Sequence, residues 1–460
     1  MKNSGMEGQA GVELNKQDAR LPVKKAPKRE RQKKESRAAL YLVAPAMILI
    51  FIVAVWPVLQ SFYYSLFDLR LSDPKKSEVH LKYSVDLGRY LDNYPFLISS
   101  IDSEIKKGND AAELQDIKEK LQSLDEKLQK DPKVKSQYNA VNDKLMNFKQ
   151  PSEDIRFADV EKSTAEEFSK TTESVSSQLN KAAKKTEFTQ EKKLLGLASG
   201  MKDSIIKPTF IGLKHYKEDL TEPRMWRALG NTLTFTVISV AAELVLGLAI
   251  ALLINKAFFG RGLIRASILI PWAIPTAVSA MMWSFLYDGQ NGIVAKLFES
   301  VGIVDKMSNL LTTSTGAMFS VIFTDVWKTT PYMSLLLLAG LQTIPSSLYE
   351  AASIDGAGKW KQFTNVTLPL LKSSILVALL FRTLDAFRVF DLIYVLTGGG
   401  PANSTETISI LAYKVMFSQT NFGEGSALSV IVFLCVAVIS MLFIKFLGRD
   451  LLNDGNGAGR

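Results

Sequence analysis

Residues 350–369 read EAASIDGAGKWKQFTNVTLP, between apolar runs at 316–341 and 373–396. The stretch predicts a short helix broken at Gly356, then a second short helix stopped by Pro369. Ala351 and Ala352 follow Glu350 and are small enough to let another surface approach closely. Gly356 admits a backbone angle that other residues resist. Such an element is shaped to plug into a partner's groove.

Working outward, the flanking runs belong to a set. A membrane helix needs about 20 mostly apolar residues to cross the hydrocarbon core. Six segments qualify, at 38–67, 228–254, 264–287, 316–341, 373–396 and 427–447. The fold class expected is all-α, a polytopic membrane protein with six transmembrane helices and an extracytoplasmic helical, coiled-coil-like insertion. Lys24, Lys25, Lys28, Arg29, Arg31, Lys33, Lys34 and Arg37 precede the first run and place the N-terminus in the cytoplasm. Counting spans then puts Lys256, Arg261, Arg265, Lys359, Lys361 and Lys372 inside, with Lys445 and Arg449 closing the last span there. Both termini, and the 350–369 stretch, are therefore expected in the cytoplasm. The connections at 288–315 and 398–426 are poorer in Lys and Arg. The first run is read as a retained helix, because its leader is long and nothing like A-x-A follows Trp56 and Pro57. Pro45, Pro57, Pro271, Pro275 and Pro331 interrupt the runs. The backbone groups they free must find neighbouring helices or a water-lined cavity.

Composition narrows the chemistry. Of 460 residues, one is cysteine and two are histidine. Cys435 alone excludes an intrachain disulfide and a cysteine-cluster metal site. His80 and His215 lie far apart and read as solvated loop residues, so no metal site and no catalytic site is expected. Gly358-Lys359 imitates the end of a phosphate-binding loop. However, no Gly stands five before Gly358, and Trp360 replaces the needed hydroxyl. No ATPase site, no bound cofactor and no nucleic-acid partner are expected of this chain.

The 350–369 stretch resembles the EAA loop of binding-protein-dependent permeases, whose pattern is E-A-A-x3-G-x9-I-x-L-P. Glu350, Ala351, Ala352, Gly356, Leu368 and Pro369 match in register, and Val366 stands where isoleucine is usual. Two further stretches resemble carbohydrate importer permeases of the larger maltose permease subunit type. One is Phe210 to Tyr216 with Trp226 to Thr232; the other is Phe387 to Asp391 leading into Leu396 to Pro401. The resemblance covers 38–72 and 208–447. It implies a transport subunit in the inner, cytoplasmic membrane of a prokaryote, forming half of a pathway for a sugar or sugar-like solute. It also implies a second homologous permease subunit, two ATPase subunits that use ATP and Mg, an extracytoplasmic solute-binding protein and surrounding lipid. In that family Glu350, Ala351, Ala352, Asp355, Gly356, Leu368 and Pro369 would belong to the helix that docks on the ATPase.

Charges inside the expected spans are costly and should face protein or water. Arg382, Asp385, Arg388 and Asp391 recur at steps of three in the fifth run, which puts neighbouring members near one another on one helix. They are candidates for the solute pathway, since forked donors and carboxylates suit hydroxyls. A structural ion-pair ladder is the equal alternative. Glu243 poses the same question, while Asp325 and Lys328 are expected to satisfy each other.

Between the first two runs lies a charged insertion, 73–207. Leu114, Ile117, Leu121, Leu124 and Leu128 alternate by three and four, and Val134, Tyr138, Val141, Leu145 and Phe148 resume the pattern. Asp131-Pro132 between them reads as an N-cap and first turn, which predicts an antiparallel hairpin. Ser163 with Glu166 predicts a capping box opening a third helix, and 194–205 predicts a fourth. The expected organisation is thus a basic tail 1–37, a first helix 38–72, the insertion 73–207, a permease core 208–447 with its loop at 342–372, and a tail 448–460. Two other classes fit parts of this layout. A receptor also sets an external helical domain between spans, and an ion-coupled secondary transporter is polytopic. The receptor lacks a reason for four further spans, and no internal repeat of the transporter kind is evident.

Overall fold

The computed structural model describes residues 40–457, with side chains to 446. The basic run Lys24 to Arg37, on which the orientation rests, lies outside the described residues, as does the side chain of Arg449. The chain divides at Leu59 and Gln60 into two units.

Residues 40–59 form most of helix α1, Leu40–Tyr64, which is apolar and presents every side to its surroundings. A wide π-helical turn at Phe51–Val55 immediately precedes Pro57. Proline lacks an N–H and clashes with the carbonyl four residues earlier, and the wider turn gives it room.

The second unit contains the insertion and the core. The insertion comprises β1 Ser84–Asp86, α2 Leu87–Lys106, α3 Ala111–Leu128, α4 Pro132–Met146, β2 Phe157–Asp159, α5 Lys162–Lys185, α6 Glu191–Lys202 and β3 Ile205–Ile206. Its hydrophobic core is its own, and Leu114, Ile117, Leu121, Val141, Phe168 and Leu179 are sealed within it. The Leu114–Leu128 seam is therefore real, and Val134 and Val141 carry the second, but Phe148 stands fully exposed past the end of α4 and the seams' partners differ from those expected. α3 packs between α2 and α5, and α4 lies on α2, so α3 and α4 do not pair as a hairpin. The unforeseen α2 takes the place each would have offered the other. Asp131 caps α4 as expected, accepting from the Lys133 N–H at 2.8 Å. The capping box does not form: α5 begins at Lys162 with Glu161 as N-cap, placing Ser163 inside the first turn. The fold is also not purely helical. β1 pairs antiparallel with both β2 and β3, setting Ser84 opposite Asp159 and Ile206. Strands of two or three residues leave too little alternation to be read from sequence.

The insertion leaves and rejoins the core at one place. Asp68 N–H donates to Thr209 O at 2.8 Å and Ile211 N–H to Leu66 O at 2.9 Å. There α7, Lys214–Thr221, carries His215, which is buried rather than solvated: its Nε2 lies 3.2 Å from Phe67 O.

In the core, α8 Pro223–Asn255 is 33 residues, about 50 Å at 1.5 Å per residue. The third expected span is not one helix. It divides into α9 Arg261–Ile268, a single turn Ile270–Ala273 and α10 Thr276–Leu286, with extended backbone at Ile274 and Pro275. α11, Ser314–Leu341, is continuous through Pro331 but carries Asp325 and Lys328 at buried positions. α12 is Ser346–Ile354, and α13 runs unbroken from Lys359 to Phe387. Pro369 therefore does not stop a helix. A second π-helical turn, Phe363–Thr367, precedes it as one precedes Pro57, and the helix continues. The fifth span ends early, because α14, Asp391–Leu396, turns away after Arg388 and buries Leu392, Ile393 and Leu396 near α10. α15, Ile408–Ser418, and α16, Phe422–Gly457, complete the chain.

Among the described residues, four helices are long and apolar enough to cross a membrane: Leu40–Tyr64, Pro223–Asn255, Lys359–Phe387 and Phe422–Phe446. α8, α11 and α13 pack on one another. Small residues allow the approach: a Cβ on Gly247 would meet Met333 Cγ at 2.8 Å, and one on Gly340 would collide with Ser374.

Candidate functional site

Two places stand out, and α13 joins them. At its N-terminal end, α12 finishes in a Schellman motif. Ala357 N–H donates to Ala352 O at 2.8 Å and Gly356 N–H to Ser353 O at 3.1 Å, with Gly356 at φ +73°. A side chain at that φ is strained, which is why glycine stands there. Gln362 Nε2 ties the turn from the other side, donating to Ser353 Oγ at 2.9 Å and Ala357 O at 3.1 Å. Tyr349 and Thr367 join hydroxyls at 3.0 Å. Within this frame Glu350, Ala351, Asp355, Gly356, Leu368 and Pro369 are exposed and Ala352 is half-buried. Ile354 and Trp360, which the sequence reading did not single out, project fully. The result is a stiff knob with an apolar tip.

At the other end of α13 lies a cavity of about 510 Å³, walled by Trp272, Pro275, Lys328, Asp385, Arg388 and Asp391 among others. The four candidates therefore separate. Asp385, Arg388 and Asp391 reach the cavity, and Arg382 does not line it. Arg388 still meets Asp385 at 3.7 Å, but the helix break after Phe387 takes Asp391 off the i+3 ladder. Arg382 is buried behind the wall as a hub. Its Nη2 donates to Glu243 Oε1 at 2.9 Å and also to Asp325, and its Nη1 donates to Asp385 Oδ2 at 3.1 Å. Thr329 Oγ1 adds a bond to Glu243 Oε1 at 2.7 Å. One guanidinium thus fastens α8, α11 and α13 together. Its planar fork of donors suits that task in a way a lysine would not.

Asp325 accordingly pairs with Arg382, not with Lys328 as expected. Lys328 serves the broken third span instead: its Nζ donates to Ile274 O at 2.5 Å and Trp272 O at 3.5 Å. These carbonyls lose their helical partners at the Ile274–Pro275 break, and a cation from α11 supplies the replacement. Sequence spacing alone favoured the neighbour at i+3, because carbonyls freed by proline are invisible to it.

A third network was not foreseen. Glu406 is buried and accepts from Arg224 at 2.8 and 2.9 Å and from Lys414 at 2.8 Å. Burial raises its pKa, but these cations outweigh that and hold the carboxyl below its ordinary range. They clamp the Gly398–Thr405 loop to the start of α8, helped by Asn231 Nδ2 donating to Glu406 O at 3.0 Å.

Packed spanning helices around a polar cavity, with a stiff exposed turn on one of them, define a membrane permease. The model of binding-protein-dependent transport system inner membrane components matches residues 243–453, and the chain belongs to that family. It is 45% identical over 236 residues to a trehalose/maltose transport system permease protein of Thermococcus litoralis, covering 51% of this chain and 79% of that one. It is 48% identical over 241 residues to a trehalose transport system permease protein of Mycobacterium tuberculosis, covering 52% and 75%. A sulfoquinovosyl glycerol transport system permease protein of Agrobacterium fabrum is 39% identical over 254 residues, covering 55% and 80%. A bacterial alginate ABC transporter crystallised with a pentasaccharide-bound periplasmic protein aligns at 24% identity and a TM-score of 0.48, over 52% of this chain and 84% of that one. The insertion lies outside the family match.

Proposed function

We propose that the chain is one permease subunit of an ATP-driven, binding-protein-dependent importer of a sugar or sugar-like solute. With six spans of its own it forms half of the pathway, and a homologous second permease forms the other half. Two ATPase subunits, which bind the ATP and Mg, dock on the loop at Glu350, Ala351, Ala352, Asp355, Gly356, Leu368 and Pro369. This chain binds no cofactor itself. Both termini and the loop face the cytoplasm, and the insertion stands outside, where it helps hold a solute-binding protein.

One observation carries the reading. A single helix of 29 residues, about 43 Å long, begins beside the stiff Gly356 turn and carries Asp385 to the cavity wall in its last turn. A push on the loop is thereby delivered to the cavity, which is what coupling ATP hydrolysis to solute movement requires. The cavity joins charged hydrogen-bonding groups to the aromatic side chains Trp272 and Phe390, a combination suited to sugar rings. The names of the trehalose, maltose and sulfoquinovosyl glycerol relatives support the same cargo class.

The test is uptake of labelled trehalose and maltose into proteoliposomes holding the chain with its cognate permease, ATPase and binding protein. ATP-dependent uptake that needs every component is expected. Uptake by this chain alone, or driven by an ion gradient without ATP, would replace the proposal with a secondary transporter.

A further inference from the structure

Between Glu243 and Asp288 the chain has no acidic residue, and its charges there are Lys256, Arg261 and Arg265. All three fall where α8 ends and α9 begins. Arg265 is a structural clip: its Nη2 donates to Ile254 O at 2.9 Å, folding α9 back on the last turn of α8. Lys256 and Arg261 differ. Among the described residues their side chains make no hydrogen bond or ion pair. Beside them Phe259 is 105% exposed and Leu263 is 76% exposed. Open cations and open large apolar side chains therefore share one short, folded segment. It adjoins an exposed apolar flank of α8, where Val245, Leu246 and Leu253 also lie open.

Water alone does not suit this surface, because an exposed phenylalanine and leucine gain nothing there. A protein groove would usually meet such a patch with carboxylates. A membrane surface offers phosphate at one depth and hydrocarbon a few ångströms deeper, which matches the pairing of charge and apolar bulk. We propose that residues 256–265 form a binding site for anionic phospholipid headgroups. Lys256 and Arg261 meet the phosphates, while Phe259 and Leu263 enter the acyl boundary. The site sits at the pivot between α8, held by the Arg382 hub, and the broken span that forms one cavity wall. Lipid charge would thus steady that wall. The inference rests on the chain being membrane-embedded, and the experiment separates the two.

Cys435 is the sole cysteine and lies in α16. A nitroxide on Cys435 in nanodiscs reports whether the chain is inserted. A second protein, Cys435→Ser with Gly262→Cys, reports the segment; a Cβ at Gly262 meets nothing within 4 Å. The expected result is a Gly262→Cys label at acyl-boundary depth, moving toward water in Phe259→Ser. Competition between brominated phosphatidylglycerol and phosphatidylcholine should favour the anionic lipid. That preference should fall about fivefold for each of Lys256→Gln and Arg261→Gln. Three results overturn the site while leaving membrane insertion intact: a water-exposed label at 262 with Cys435 in lipid, no anionic preference, or burial of the label only when ATPase subunits are added. The last assigns the segment to a protein partner.

Discussion

Arg382 on α13 and Glu243 on α8, 139 residues apart in sequence, join at 2.9 Å with both side chains sealed from solvent. Removing one member of such a pair strands the other in a medium that solvates it poorly. Arg382→Met is expected to cost about 3 to 5 kcal/mol, seen as a lower melting temperature in detergent. Arg382→Lys keeps the charge but loses the fork and should cost less. An unchanged melting temperature in Arg382→Met would remove the hub from the account.

Asp385 and Arg388 meet across 3.7 Å at the cavity, and both are more than half exposed. As an exposed pair it contributes little stability. Arg388→Gln should therefore leave melting nearly unchanged while altering the ranking of transported solutes, whereas Asp385→Asn also takes a charge from the Arg382 hub. Equal loss for every solute, with poor folding, would give these residues the structural role instead.

Gly356 sits at φ +73° with open space around its α-carbon. Gly356→Ala strains the turn by about 1 to 2 kcal/mol without a clash, so insertion should persist. Glu350→Lys changes only an exposed charge. Both should leave the chain folded but lower the uptake obtained per ATP hydrolysed, the lysine variant more. Unchanged stoichiometry in both would exclude the loop from coupling.

Asp219 is buried in α7, and burial, with Glu424, Glu218 and Glu222 nearby, pushes its pKa up to about 7. The folded state therefore holds this proton more tightly than the unfolded one. The stabilisation it contributes is full below about pH 4 and is lost as pH rises through about 7. His215 works in the other direction, since burial lowers its pKa and acid disfavours the fold. Melting of Asp219→Asn from pH 5 to 8, set beside the unaltered chain, isolates the aspartate because His215 is common to both. The variant should lose less stability on going to pH 8; parallel curves would discount the buried carboxyl.

Removal of residues 77–207 with a short Gly/Ser bridge should leave the core able to insert, because the insertion has its own hydrophobic core. Apparent affinity for a loaded solute-binding protein should fall. Normal affinity with normal transport would leave the insertion a spacer.

The parts legible in the sequence were those governed by local periodicity. The α3 stripe from Leu114 to Leu128 and the Asp131-Pro132 cap appear where the spacing put them, and Gly356 breaks the loop helix as its chemistry demands. What escaped depends on contacts distant along the chain. Lys328 serves carbonyls 54 and 56 positions away, which no i+3 rule anticipates. Pro369 reads as a stop because sequence does not announce the π turn that accommodates it. α2 hid because Pro95 and scattered polar residues blur its stripe, yet it is the helix on which α3, α4 and α6 pack.

The paired strands of chain at Leu66–Asp68 and Thr209–Ile211 bear on how the protein is made. Bringing the ends of an unfolded loop of that length together costs about 4 kcal/mol in chain entropy. A folded insertion, whose ends already lie side by side, bears that cost in advance. Biogenesis should then run in order, with the insertion maturing before the later helices converge, so that this module acts as an internal assembly factor for the core behind it.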